Sequence, residues 1–232
     1  HKSMDSGKIF SCFDKKIQFN SSLESINLMI AKGDLDEAHN MVDIYINNYP
    51  IESQNHLLRI KKIQIDFYLG EPSIMEDINN LLLEMKRDNL FYNDLLNLQS
   101  LMLTFKDDDE LLKKFSNIKL LIFQNEIEDA IEQLNNTLLR ENNDEIIDDL
   151  LILHLSYLFI LQNDFDNALQ LIDSISHETV FSEFAYILKA EIFDFILDNQ
   201  KNAAGIYIDF LDKYPLSIYY DDIRLRLREL TN

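Results

Sequence analysis

Five histidines, one cysteine and 41 carboxylates are the groups with which this chain could do chemistry. His39, His56, His154 and His177 are scattered, and no His-x-x-x-His pair or Cys/His cluster is present. A structural zinc site needs such spacing, so no metal is expected. His154 lies in the most apolar stretch and reads as a core histidine rather than a ligand. His177-Glu178 reads as a solvated turn. Cys12 is the sole cysteine, so no internal disulfide can form. A nucleophile needs a base and a strained, Gly-lined setting, and no Gly-x-Ser-x-Gly elbow occurs. The acidic run Asp107-Asp108-Asp109-Glu110 matches the positive end of a helix dipole, and it lacks the Asp-x-Asp-x-Asp-Gly order of a calcium loop. Neighbouring acids such as Asp148/Asp149 or Asp221/Asp222 say little in so acidic a chain. No phosphate loop or dinucleotide fingerprint is present. The expectation is a protein with no catalytic activity, metal or cofactor.

What remains is binding, and charge narrows it. Lys and Arg number 21 against 41 Asp and Glu, a formal charge of −20. A phosphate backbone would be repelled, as would an anionic membrane surface, so nucleic acid is not an expected partner. A solvated acidic exterior is the plain reading, with recruitment of a basic partner the alternative. Against this background Arg59, Lys61 and Lys62 form a local basic spot. Its functional reading is a clamp for an acidic or carboxylate-bearing peptide; its plain reading is surface solubility. Tyr219 and Tyr220 could anchor a partner, or simply pack the last helix.

The elements that would carry these residues are helical. Valine occurs only at 42 and 180, and glycine four times, too few for sheets and their turns. Ser21-Ser22-Leu23-Glu24 reads as a capping box opening a helix over 21–32, which Gly33 ends. Asp34 caps a second helix, with Leu35, Ala38, Val42, Tyr45 and Ile46 on one face, stopped at Tyr49-Pro50. Further helices are expected over 53–69, 73–86, 91–105, 108–123, 144–161, 181–197 and 217–230. Those over 144–161 and 181–197 are apolar almost all round and should be covered on several sides. The apolar run 150–161 is too short to span a bilayer. Asp221/Arg224 and Asp222/Arg226 have the spacing of helical ion pairs. His1-Lys2-Ser3-Met4 reads as a tag remnant, and 1–17 as tag-derived or unstructured.

A pattern repeats along these helices. Asn125-Glu126-Ile127 leads to Ala130, Asn163-Asp164-Phe165 to Ala168, and Gly33-Asp34-Leu35 to Ala38. Each is a turn residue, an acid, an apolar residue and then an alanine. Val42, Leu134 and Ile172 are equivalent downstream. A weaker copy is Asn199-Gln200-Lys201-Asn202-Ala203-Ala204, with Ala204 in the alanine slot. The turns at 125, 163 and 199 lie 38 and 36 residues apart. A helix pair of this kind buries only part of its apolar surface, so neighbours must stack. One domain over 18–232 follows, most regular over 125–216 and capped by 217–230, with about 11–12 helices.

Gly33, Ala38 and Pro50 resemble the turn glycine, packing alanine and closing proline of tetratricopeptide repeats; Ala130 and Ala168 fit the same alanine slot. The segment from Ala203-Ala204 through Tyr214-Pro215-Leu216-Ser217 is similar to the final repeat and cap of bacterial cell-envelope proteins of that class. The resemblance implies an all-α, right-handed α-solenoid of stacked helix-turn-helix repeats. It implies a scaffold or adaptor that binds a partner protein or peptide on its concave surface. The alternative it implies is the C-terminal assembly or oligomerisation segment of a larger envelope protein, with a periplasmic rather than cytoplasmic location and a possible homo-oligomer.

Overall fold

In the computed structural model the backbone is described over residues 6–48, 52–140 and 144–231, and side chains over 17–48, 54–140 and 144–231. Twelve α-helices and no strands form among the described residues. The chain divides into two compact units, His1–Glu126 and Ile127–Asn232. The division falls at the turn that opens the most regular part of the sequence.

The first unit holds α1 (Ser6–Lys32), α2 (Leu35–Asn48), α3 (Glu52–Tyr68), α4 (Ile74–Glu84), α5 (Tyr92–Thr104) and α6 (Asp109–Phe123). Consecutive helices from α1 to α5 pack as pairs, and α3 also packs against α1 and α6. The extra helix α5 packs on α4. Ile26, Ile30, Ala38, Val42, Leu58 and Ile65 make one core where α1, α2 and α3 meet, and all six are fully buried. The expected start of α1 at Ser21 is corrected, because the helix already runs from Ser6. Ser22 Oγ donates to the Gln18 carbonyl and Ser25 Oγ to that of Ser21, the bonds serines make inside a helix.

The second unit holds α7 (Ile127–Leu138), α8 (Glu145–Leu161), α9 (Phe165–Ser174), α10 (Ser182–Glu191), α11 (Gln200–Lys213) and α12 (Tyr220–Thr231). Each packs on the next along the chain. A π-helical turn, Ile192–Ile196, follows α10 and replaces the continuous helix expected over 181–197. Helix α8 packs on both α7 and α9, and α10 on both α9 and α11, yet the cover is incomplete: Phe184 and Phe195 stay exposed, as do Tyr157 and Leu161 of α8.

The repeated signature has a shared geometry. Gly33, Asn125 and Asn163 take positive φ (85°, 64° and 60°), as Gly70 does (72°). The next residue's N–H then reaches back five residues: Asp34 to Met29 O, Glu71 to Asp66 O, Glu126 to Leu121 O and Asp164 to Phe159 O, at 2.9–3.1 Å. Such bonds satisfy carbonyls that a helix end leaves open. Asp108, Asp144, Asp164 and Asn199 then accept backbone N–H bonds as side-chain N-caps. Four positions after the cap, Ala38, Ala168 and Ala203 are fully buried, as is Ala130 in the same slot of α7. This corrects Ala204, which is only half-buried. Asp198, with φ 48°, is the true turn residue, Asn199 the cap and Ala203 the packing alanine. The π-turn shifts the register: here Asn199 N–H reaches Phe193 O, six residues back, at 2.7 Å. Val42, Leu134, Ile172 and Tyr207 are the buried residues one turn further on. Pro215 is an exposed turn residue after α11, and Pro50 lies outside the described residues.

Candidate functional site

Helices α2, α3 and α4 of the first unit enclose two adjoining clefts that share Asp77. One, of about 430 Å³, is lined by Asp43, Ile46, Asn47, Arg59, Lys62, Ile63 and Asp77. The other, of about 460 Å³, is lined by residues including Asp36, His39, Asp66, Leu69, Glu71 and Ile74. The contributing positions repeat at three- and four-residue spacing. Asp36, His39, Asn40, Asp43, Ile46 and Asn47 are one stripe of α2, and Arg59, Lys62, Ile63 and Asp66 one stripe of α3. Helix periodicity therefore makes a groove: α3 is its floor, and α2 and α4 are its walls.

Charges across the groove are paired from helix to helix. Lys62 Nζ lies 2.7 Å from Asp43 Oδ1, tying α3 to α2. His39 faces two carboxylates, with Nε2 at 3.2 Å from Asp66 Oδ1 and Nδ1 at 3.6 Å from Asp43 Oδ2. Arg59 forks onto Glu84 of α4, and this holds the Glu84 carboxyl below the ordinary carboxylate range. Burial pushes the Asp66 carboxyl upward; His39 and Lys62 oppose that, while Asp77 and Asp43 add to it. Asp36, Glu71 and Asp77 are exposed on the walls and have no cationic partner among the described residues.

This placement bears directly on the basic spot. Arg59 and Lys62 line one cleft, each already engaged by an acid of the same unit. Lys61 does not join them. It projects from another face of α3, donating to Gln64 Oε1 at 2.9 Å, with Glu24 of α1 as its charged neighbour. Burial there lowers the Lys61 pKa, and Glu24 opposes the shift. The three residues adjacent in sequence are thus split between two faces. His39 and Asp66, which complete the groove, carried no sequence signal, since they meet only when α2 and α3 pair.

The other polar features hold structure. Asp149 is buried and accepts from Ser176 N–H at 3.1 Å and from the Thr179 hydroxyl, fastening the loop between α9 and α10. Asp194, on the π-turn, is buried and receives the Arg226 fork at 2.8 Å on each oxygen, plus the Tyr207 hydroxyl at 3.1 Å. That corrects the expected Asp222/Arg226 pair, while Arg224 does pair with Asp221 at 3.1 Å. A recess of about 290 Å³ in the second unit is lined by residues including Asp173, His177, Tyr186, Lys189 and Asp209, with Lys189 bonded to Asp173. His154 is half-buried on α8. Among the described residues no three His, Cys, Asp or Glu side chains converge as a metal set, and no helix is long and apolar enough to cross a membrane. No family model and no curated protein matches the chain.

Proposed function

We propose that this chain is a non-catalytic interaction scaffold of tetratricopeptide-like helix pairs, and that it holds a polypeptide segment of a partner in the groove over α2, α3 and α4. One observation supports this above others. The groove's basic groups, Arg59, Lys62 and His39, are each paired with a carboxylate, and among the described residues no three of its acidic or histidine side chains converge on one point. Both nitrogens of His39 face carboxylates, and Asp43 is also held by Lys62. What is left open is the exposed acids of the walls beside half-buried Ile46 and Leu69. Such a surface suits contact along a chain rather than turnover at a centre.

Site-specific photo-crosslinking tests this. A benzophenone side chain at Asn40 or Asn47, on the groove wall, should capture polypeptide adducts in a lysate of the source cells. The same group at exposed Asp212 in the second unit should not. Absence of adducts from both groove positions would remove the scaffold reading.

A further inference from the structure

We infer that the groove's occupant is an extended, arginine- and lysine-bearing segment of a partner polypeptide; this rests on the scaffold reading and names the chemistry of its ligand. The stripe on α2 from Asp36 to Asn47 spans eleven residues, about 16 Å at 1.5 Å per residue. An extended chain of about five residues covers that length. Along it stand five carboxylates: Asp36 and Asp43 on the α2 wall, Glu71 and Asp77 on the α4 side, and Asp66 at the floor. Only Arg59, Lys62 and His39 oppose them, and each already faces an acid. Asp36, Glu71 and Asp77 are the unanswered charges. Complementarity therefore selects a cationic segment. An acidic segment would meet the three unanswered carboxylates and would have to displace Glu84 and Asp43 to reach a cation. A divalent ion finds no three-ligand set among the described residues.

The experiment is fluorescence polarisation of the full chain with a labelled nonapeptide of alternating arginine and serine, against the glutamate–serine analogue. A polycation will be drawn to any chain of charge −20, so the variants decide. Asp36→Lys/Asp77→Lys reverses two exposed groove charges, and Asp129→Lys/Asp212→Lys reverses two exposed charges in the second unit. The arginine peptide should bind the groove variant about tenfold more weakly and the control within about twofold of wild type. Lys62→Gln frees Asp43 and should tighten the same peptide about twofold or more. Equal weakening by both double variants would overturn the proposal, since bulk acidity would then explain the binding. Tighter binding of the glutamate peptide would overturn it as well. If groove crosslinks form but excess arginine peptide leaves them untouched, this inference falls while the scaffold reading stands. If no crosslinks form, the scaffold reading itself falls.

Discussion

At Gly70 the backbone has φ 72°, and a β-carbon there would stand 2.9 Å from Lys113 Cγ and 3.1 Å from Lys113 Cα on α6. Gly33 has nearly the same backbone, φ 85°, but its β-carbon would meet only the end of the Gln124 side chain, at 3.5 Å. Both substitutions by alanine carry the left-handed penalty, roughly 1–2 kcal/mol. Only Gly70→Ala must also push a helix backbone aside. Urea denaturation should therefore show Gly33→Ala losing about 1 kcal/mol and Gly70→Ala distinctly more. Gly205 is the opposite case: it is exposed within α11 and a β-carbon there would meet nothing within 4 Å. Gly205→Ala should gain about 0.5–1 kcal/mol, the difference in helix propensity. A loss at 205, or equal losses at 33 and 70, would contradict these environments. Single residues of this type were legible in the sequence wherever the constraint is local. Gly33 as a helix stop and Asp34 before Ala38 need only a neighbouring turn to be understood. The load on Gly70 was not legible, because Lys113 lies 43 positions away.

Between residues and helices, the same divide explains what else the sequence revealed. The acid that caps α9 and the buried alanines of α2, α7 and α9 were read from spacing alone, since each signal sits within one helical turn of what it controls. Ser21 misled because serine makes a similar local bond at a cap and inside a helix. The π-turn was invisible, and it moved the alanine slot from 204 to 203. It also sets Asp194 to receive Arg226 from α12, so that the last helix is latched to the end of α10. The Arg226 guanidinium rests over the Phe195 ring, 4.8 Å from its centroid. Asp194 is buried, and losing its partner would strand a carboxylate away from water. Arg226→Met should lower Tm far more than Arg224→Met, whose pair with Asp221 is exposed. Asp194→Asn placed on top of Arg226→Met should recover part of the loss, because a neutral amide has no stranded charge. Equal Tm values for the two arginine variants would show that the latch contributes nothing. The groove residues were hidden from the sequence for the same reason as the latch: Arg59 meets Glu84, and His39 meets Asp66, only across paired helices.

At the scale of the whole chain, a charge of −20 makes self-repulsion a standing cost at neutral pH, and three carboxyls show how it responds to acid. Burial raises Asp66 in the first unit, and burial together with nearby Asp194 raises Glu191 in the second. Each is therefore harder to keep ionised in the folded state. The associated cost is present at pH 7 and disappears as pH falls below the folded pKa. Asp194 runs the other way, because the Arg226 bond holds it below the ordinary range. Its contribution is complete above the ordinary aspartate value, about 3.9, and is lost as pH falls through its lower folded value. The two directions predict a peaked profile. Tm should rise as pH falls from 7.5 toward the ordinary carboxylate range, as the raised carboxyls take up protons, and fall again below that range as Asp194 protonates. Added salt should raise Tm at pH 7.5, where charges beyond about 10 Å are screened at 0.1 M, and do less at pH 5. Asp66→Asn and Glu191→Gln together should flatten the upper limb, whereas Arg226→Met should soften the acid limb by removing what is lost there. Calorimetry across this range checks the shape, and hydrogen exchange read over His1–Glu126 and Ile127–Asn232 assigns each limb to its unit. A Tm that falls steadily from pH 7.5 down to the ordinary carboxylate range would mean that neither self-repulsion nor the buried carboxyls govern this fold, and the acid walls of the groove would then have to be understood as costing the chain nothing.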